Sequence, residues 1–95
     1  MAEQHMFTLI NSRFTPEEAV PILKGMVEAK LQHHARKVAR PGTMEEDMKA
    51  SETRMKQIES DLRNILRLLR DAAQRGSQVD IEAYLSIKEV PTAAH

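Results

Sequence analysis

Ninety-five residues make one small domain with room for only a thin core. Fourteen Lys and Arg offset fourteen Asp and Glu, which excludes a general electrostatic pull toward nucleic acid or an anionic membrane. No cysteine is present, which excludes a disulfide framework and thiolate metal sites, and without Trp the core must be built from Leu, Ile, Val, Ala and Met.

Residues 5–10, His-Met-Phe-Thr-Leu-Ile, predict a strand with Phe7 and Leu9 on one face. Asn11-Ser12-Arg13 reads as the turn that ends it. Thr15-Pro16-Glu17-Glu18 then announces a helix over 16–39. Thr15 caps, Pro16 suits the first helical position, Glu18 closes a capping box, and Phe14 with Ala19 forms a weak hydrophobic staple. Val20, Leu23, Val27, Leu31, His34 and Val38 trace its apolar face. Pro21 lies past the first turn, so a kink or a separate first turn is expected. Gly25 weakens the same stretch by about 1 kcal/mol relative to Ala.

Arg40-Pro41-Gly42-Thr43 breaks the helix. Thr43 and Glu46 predict a second capping box, and Gly76 an αL stop, which bounds a second helix over 44–75. Its seam is the strongest pattern in the chain. Met48, Ser51, Met55, Ile58, Leu62, Ile65, Leu69 and Ala72 recur at spacings of three and four, the mark of a helix lying along another helix. So short a break implies antiparallel neighbours, a coiled-coil-like hairpin. Beyond Ser77 the period falls to two: Val79, Ile81, Ala83, Leu85 and Ile87 alternate with polar residues, a half-buried strand over 79–90, with 91–95 as a tail. The expected fold is mainly α: a long antiparallel two-helix hairpin flanked by N- and C-terminal strands, in the order β-α-α-β. Both strands attach to the open end of the hairpin, so pairing between them would be antiparallel.

Aligning Val38 with Met44–Glu45 places Pro16 near Arg67 and leaves the last two turns of helix 2 overhanging. That tip carries more apolar residues than a two-helix seam consumes. A homodimer is therefore expected, with Leu62, Ile65, Leu66, Leu69, Ala73, Ile81 and Leu85 as its interface. The strand edge over Val79–Ile87 is a second surface, able to accept another strand.

Other clusters have plain explanations. Arg63, Arg67 and Arg70 share a helix face and suit phosphate contact. They equally suit a solvated face laced by Glu59–Arg63, Asp71–Arg75, Glu52–Lys56 and Glu45–Lys49 pairs. Lys30, Arg36, Lys37 and Arg40 would meet Glu45, Glu46 and Asp47 across the hairpin. His33 and His34 lack a ligand at helical spacing, and Glu28 approaches them only through the fold, so neither metal nor other cofactor is expected. Met44, Met48 and Met55, with Met26, read as core at the loop end. No serine has a nucleophile's context. The opening Met1-Ala2-Glu3-Gln4-His5 predicts no secretory leader, and no apolar run reaches the ~18 residues of a membrane span, so a cytoplasmic location without membrane contact is expected.

Two resemblances follow from these residues. Glu59-Ser60-Asp61-Leu62-Arg63-Asn64-Ile65-Leu66-Arg67-Leu68-Leu69-Arg70 resembles the opening helix of the all-helical chorismate mutases. Those enzymes continue with two more helices carrying further active-site residues, where this chain turns to a strand. Phe14-Thr15-Pro16-Glu17-Glu18-Ala19, together with Leu23 and Lys30-Leu31-Gln32-His33-His34, resembles small uncharacterised bacterial helical-hairpin proteins in which a strand-like segment follows the second helix. That resemblance implies a fold and no activity. Taken together, the residues point to a homodimeric interaction or structural protein with an unnamed protein partner, not an enzyme. The readings set beside it are a nucleic-acid accessory protein using the Arg63, Arg67, Arg70 stripe, and a small enzyme whose site forms across a dimer from His33, His34 and Glu28.

Overall fold

A computed structural model describes residues 3–92. Met1, Ala2 and the 93–95 part of the expected tail lie outside the described residues. The order is β1 (Gln4–Phe14), α1 (Pro16–Ala39), α2 (Glu45–Gln74) and β2 (Val79–Lys88). β1 and β2 pair antiparallel, as the topology requires. No helix among the described residues is long and apolar enough to cross a membrane.

Local chemistry sets the helix ends. The Glu18 N–H donates to Thr15 Oγ1 at 3.2 Å, and the Thr15 N–H donates to Glu18 Oε1 at 2.9 Å, completing the expected box. α1 runs unbroken through Pro21, so the first turn is not a separate piece. The second box does not form. The Thr43 hydroxyl lies 2.6 Å from the Arg40 carbonyl and 3.0 Å from the Lys37 carbonyl, so its proton serves the end of α1. Met44 is the N-cap of α2 and brings no side-chain bond; Glu45, Glu46 and Asp47 complement the helix dipole instead. α2 closes as a Schellman motif. The Ser77 N–H bonds the Ala72 carbonyl, the Gly76 N–H bonds the Ala73 carbonyl, and Gly76 takes φ 69°.

β1 is longer than its sequence suggests. Asn11-Ser12-Arg13, expected as a turn, continues the strand opposite Glu82, Ile81 and Asp80. Turn-forming residue types yield here to the cross-strand ladder, within which Arg13 clasps Asp80. A bulge at Leu9 separates Thr8, opposite Tyr84, from Ile10, opposite Ala83.

The core is the expected seam. Ala19, Ile58, Leu69 and Ala72 are buried, as is Ser51, which lets the helices approach closely. Val20, Leu23, Val27, Leu31, His34 and Val38 are half-buried opposite them. No large side chain among the described residues is completely enclosed. The molecule is thin and long, 57 × 33 × 14 Å. Its accessible surface is 7789 Å²; a compact monomer of this mass exposes about 5,500 Å².

Candidate interaction surface

The register sorts the ribbon into two faces, since residues directly opposite on an antiparallel pair share a face. Val79, Ile81, Ala83, Leu85 and Ile87 stand opposite Phe14, Ser12, Ile10, Phe7 and His5. The Leu9 bulge is what brings Phe7 onto the face of Ile10, three residues away instead of two. The expected pairing of Phe7 with Leu9 gives way to this arrangement.

That apolar face is covered only near the helices. Ile10, Phe14, Val79, Ile81 and Ala83 are half-buried. Beyond the bulge, Phe7 is 51% exposed, Ile87 50% and Leu85 38%. Five residues of each strand, a length of about 16 Å, carry this apolar row away from the helices.

The helices supply a second uncovered element, though not the expected one. Leu23 shares a shallow apolar notch of about 250 Å³ with Ile65, Leu68 and Ile81. Pro16 and Val20 border Leu66, Leu69 and Ala73 on the opposite side of the hairpin. α1 therefore reaches Ala73, not Arg67, and the two-turn overhang predicted at the C-terminus of α2 is not there. The extra length of α2 lies mostly at the loop end, where Lys37 and Ser51 line one open cleft with Asp47. The bridging segment Arg40–Met44 spends its residues on finishing α1, which slides α2 by nearly two turns.

Each predicted interface residue can now be placed. Leu69 is buried inside the monomer by α1. Leu62, Ile65, Leu66 and Ile81 are half-buried, Leu85 is more open, and Ala73 is exposed. Leu68, which the heptad reading passes over, is 67% exposed at the edge of the Ile81 notch. Leu68 belongs to the apolar tip of the second helix and Ile87 to the strand edge Val79–Ile87; neither they nor Phe7 were among the expected interface residues. The period-two pattern placed Ile87 on the right face; only the strand register adds Phe7.

The polar candidates are dispersed. Arg63, Arg67 and Arg70 are exposed, and Arg67 Nη2 donates to Asn64 Oδ1 at 3.2 Å. Of the four lacing pairs expected on α2, Glu45–Lys49 forms, at 3.5 Å. Among the described residues no ion pair joins α1 to α2, which corrects the expected cross-hairpin clamp: Glu45–Asp47 sit beyond the end of α1. Glu28 approaches Lys24, at 4.0 Å, and no group of three metal-ligating side chains occurs among the described residues. The His33 and His34 rings meet edge-on, with centroids 5.4 Å apart. His34 Nδ1 is buried without a hydrogen-bond partner among the described residues. Burial, followed by the positive neighbours His33, Lys37, Arg54 and Lys30, pushes its pKa below the ordinary histidine value.

Comparison with protein-family models, with curated proteins and with solved structures returns no match.

Proposed function

We propose that the chain is a cytoplasmic, homodimeric interaction module without catalytic chemistry of its own. One observation carries this reading. The chain exposes roughly 2,200 Å² more surface than a compact monomer of its mass. That excess is of the size each partner hides in an obligate dimer, and Phe7, Leu85, Ile87 and Leu68 are exposed apolar side chains of this surface. A two-stranded ribbon gains little stability alone in water. A second subunit supplies the missing strands and cover. Sedimentation equilibrium across micromolar concentrations tests the reading: a dimer mass is expected, and a monomer at every concentration overturns it.

A second reading has one observation in its favour. Arg63, Arg67 and Arg70 are solvent-facing and make no ion pair among the described residues, so their charge is open to phosphate. A gel shift at low salt that collapses steeply as salt rises supports that use, and no shift at low salt removes it.

A further inference from the structure

We infer that two copies join through the free edge of β2, antiparallel and centred on Tyr84, to make a four-stranded sheet ordered β1-β2-β2-β1 with both hairpins on its apolar face. This rests on the dimer reading and names the edge and the register that the reading leaves open.

Three observations converge on that edge. The uncovered apolar notch is walled by Val79 and Ile81 of β2 together with Leu68, and by no residue of β1. The missing cover is therefore on the β2 side. β1 carries the Leu9 bulge, which interrupts any regular ladder on its outer edge. β2 runs regularly from Val79 to Lys88.

The sequence of β2 is complementary to itself in one register. A two-fold axis at Tyr84 sets Asp80 against the partner's Lys88 and Glu82 against the partner's Ser86. On the other face it sets Ile81 against the partner's Ile87 and Ala83 against the partner's Leu85. Within β2 apolar residues meet apolar residues, except that Val79 falls against the partner's Glu89, one residue past the strand's end; opposite charges meet at both ends. A shift of one residue would mix the two faces. A shift of the axis to Ala83 sets Asp80 against Ser86 and loses the charge pair, and a shift to Leu85 sets Ile81 against Glu89.

The axis at Tyr84 also relieves the exposure described above. The outer half of each ribbon then lies beside the helix-covered half of the other. Ile87 comes alongside Ile81 of the other copy, at the notch that Leu68 leaves open. One contact thus covers the row at the ribbon tip and the notch at its base.

The chain has no cysteine, so single thiols report the arrangement cleanly. In the full chain, Tyr84→Cys is expected to oxidise readily to a disulfide-linked dimer, because the two copies face each other directly. Thr8→Cys lies opposite Tyr84 in the monomer ribbon, and its two copies would stand three strand spacings apart, about 14 Å, too far to link. Ser86 gives an independent reading through its place against Glu82. Ser86→Lys is expected to tighten the dimer about threefold and Ser86→Glu to loosen it about threefold. Both variants lose the same monomer contact, the bond from Gln4 Nε2 to Ser86 Oγ, so opposite signs report the cross-dimer neighbour. A stable dimer that links through Thr8→Cys, or whose constant moves the same way in both Ser86 variants, overturns the edge and leaves the dimer standing. A monomer at every concentration overturns both.

Discussion

Arg13 and Asp80 stand directly opposite each other across the ribbon and meet in a two-bonded clasp. Arg13 Nε donates to Asp80 Oδ1 at 2.7 Å and Nη2 to Oδ2 at 3.1 Å. The planar fork fits the carboxylate in one orientation, so the pair specifies register as well as adding attraction. A slip of one residue would break it and send Ile81 to the polar face. Both side chains are largely exposed, so the stabilisation is small. Asp80→Asn is expected to lower melting temperature slightly and to fray β1 between Asn11 and Phe14, read as faster amide exchange there. Unchanged exchange at those amides would show that the backbone ladder alone holds the segment.

Acid should weaken the fold in two separate steps. Burial and the surrounding cations hold the His34 pKa below its ordinary 6.5. The unfolded chain then binds more protons than the folded one between that lowered value and 6.5, so stability falls as pH drops through this window. Asp80, bonded to Arg13, and Glu18, bonded to Thr15, are held below 3.8 and 4.5. Their contributions are complete above those ordinary values and are lost as pH falls beneath them. Urea titrations from pH 8 to pH 3 should show both declines. In His34→Leu the upper decline should vanish while the lower one, which belongs to Asp80 and Glu18, stays.

Gly25 and Gly76 should respond to alanine with opposite signs. A Cβ at Gly25 would meet nothing within 4 Å, and the residue lies inside α1, so Gly25→Ala is expected to stabilise the chain by about 0.5–1 kcal/mol. Gly76 has equal space, but its φ of 69° belongs to the left-handed region. Gly76→Ala should lose about 1–2 kcal/mol and loosen the entry into β2. Thermal melts of the two variants decide the matter. Equal effects would mean that the Schellman turn is not the stop for α2.

What the sequence made legible is what local spacing encodes. The Thr15–Glu18 box spans three residues, and the seam from Met48 to Ala72 repeats within two turns, so both could be read directly. Partners far apart in sequence were not readable. Arg13 finds Asp80 sixty-seven positions away, and without that partner Asn11-Ser12-Arg13 has the composition of a turn. The Leu9 bulge shifts the alternation by one residue and leaves no mark of its own in composition. The hairpin register hung on Thr43, whose hydroxyl could serve either helix; it serves α1, and the α2 tip thereby gains its cover. The candidate surface followed the same divide. Ile81 and Leu85 were visible from period two. Leu68 was visible as one of the surplus apolar residues of the α2 tip, but a heptad assigns Leu69 to the seam and gives its neighbour no partner, so its place beside Ile81 was not.

Leu68 and Ile58 give the sharpest contrast between folding and association. Ile58 is 6% exposed in the middle of the seam, so Ile58→Ala removes buried methyl groups and leaves a void. It should destabilise the subunit by about 2–4 kcal/mol. Leu68 is 67% exposed in the single chain, so Leu68→Lys should leave subunit stability within about 0.5 kcal/mol. Its effect belongs to the dimer. If a second copy covers Leu68, each copy loses roughly 1.5–3 kcal/mol of apolar burial and gains a charge to desolvate. The dissociation constant should then rise by at least a hundredfold. Sedimentation reads association, and denaturation of the dilute monomer reads stability. A Leu68→Lys chain that dimerises as tightly as the parent would place this leucine outside the contact and return its exposure to the ordinary surface of a small protein.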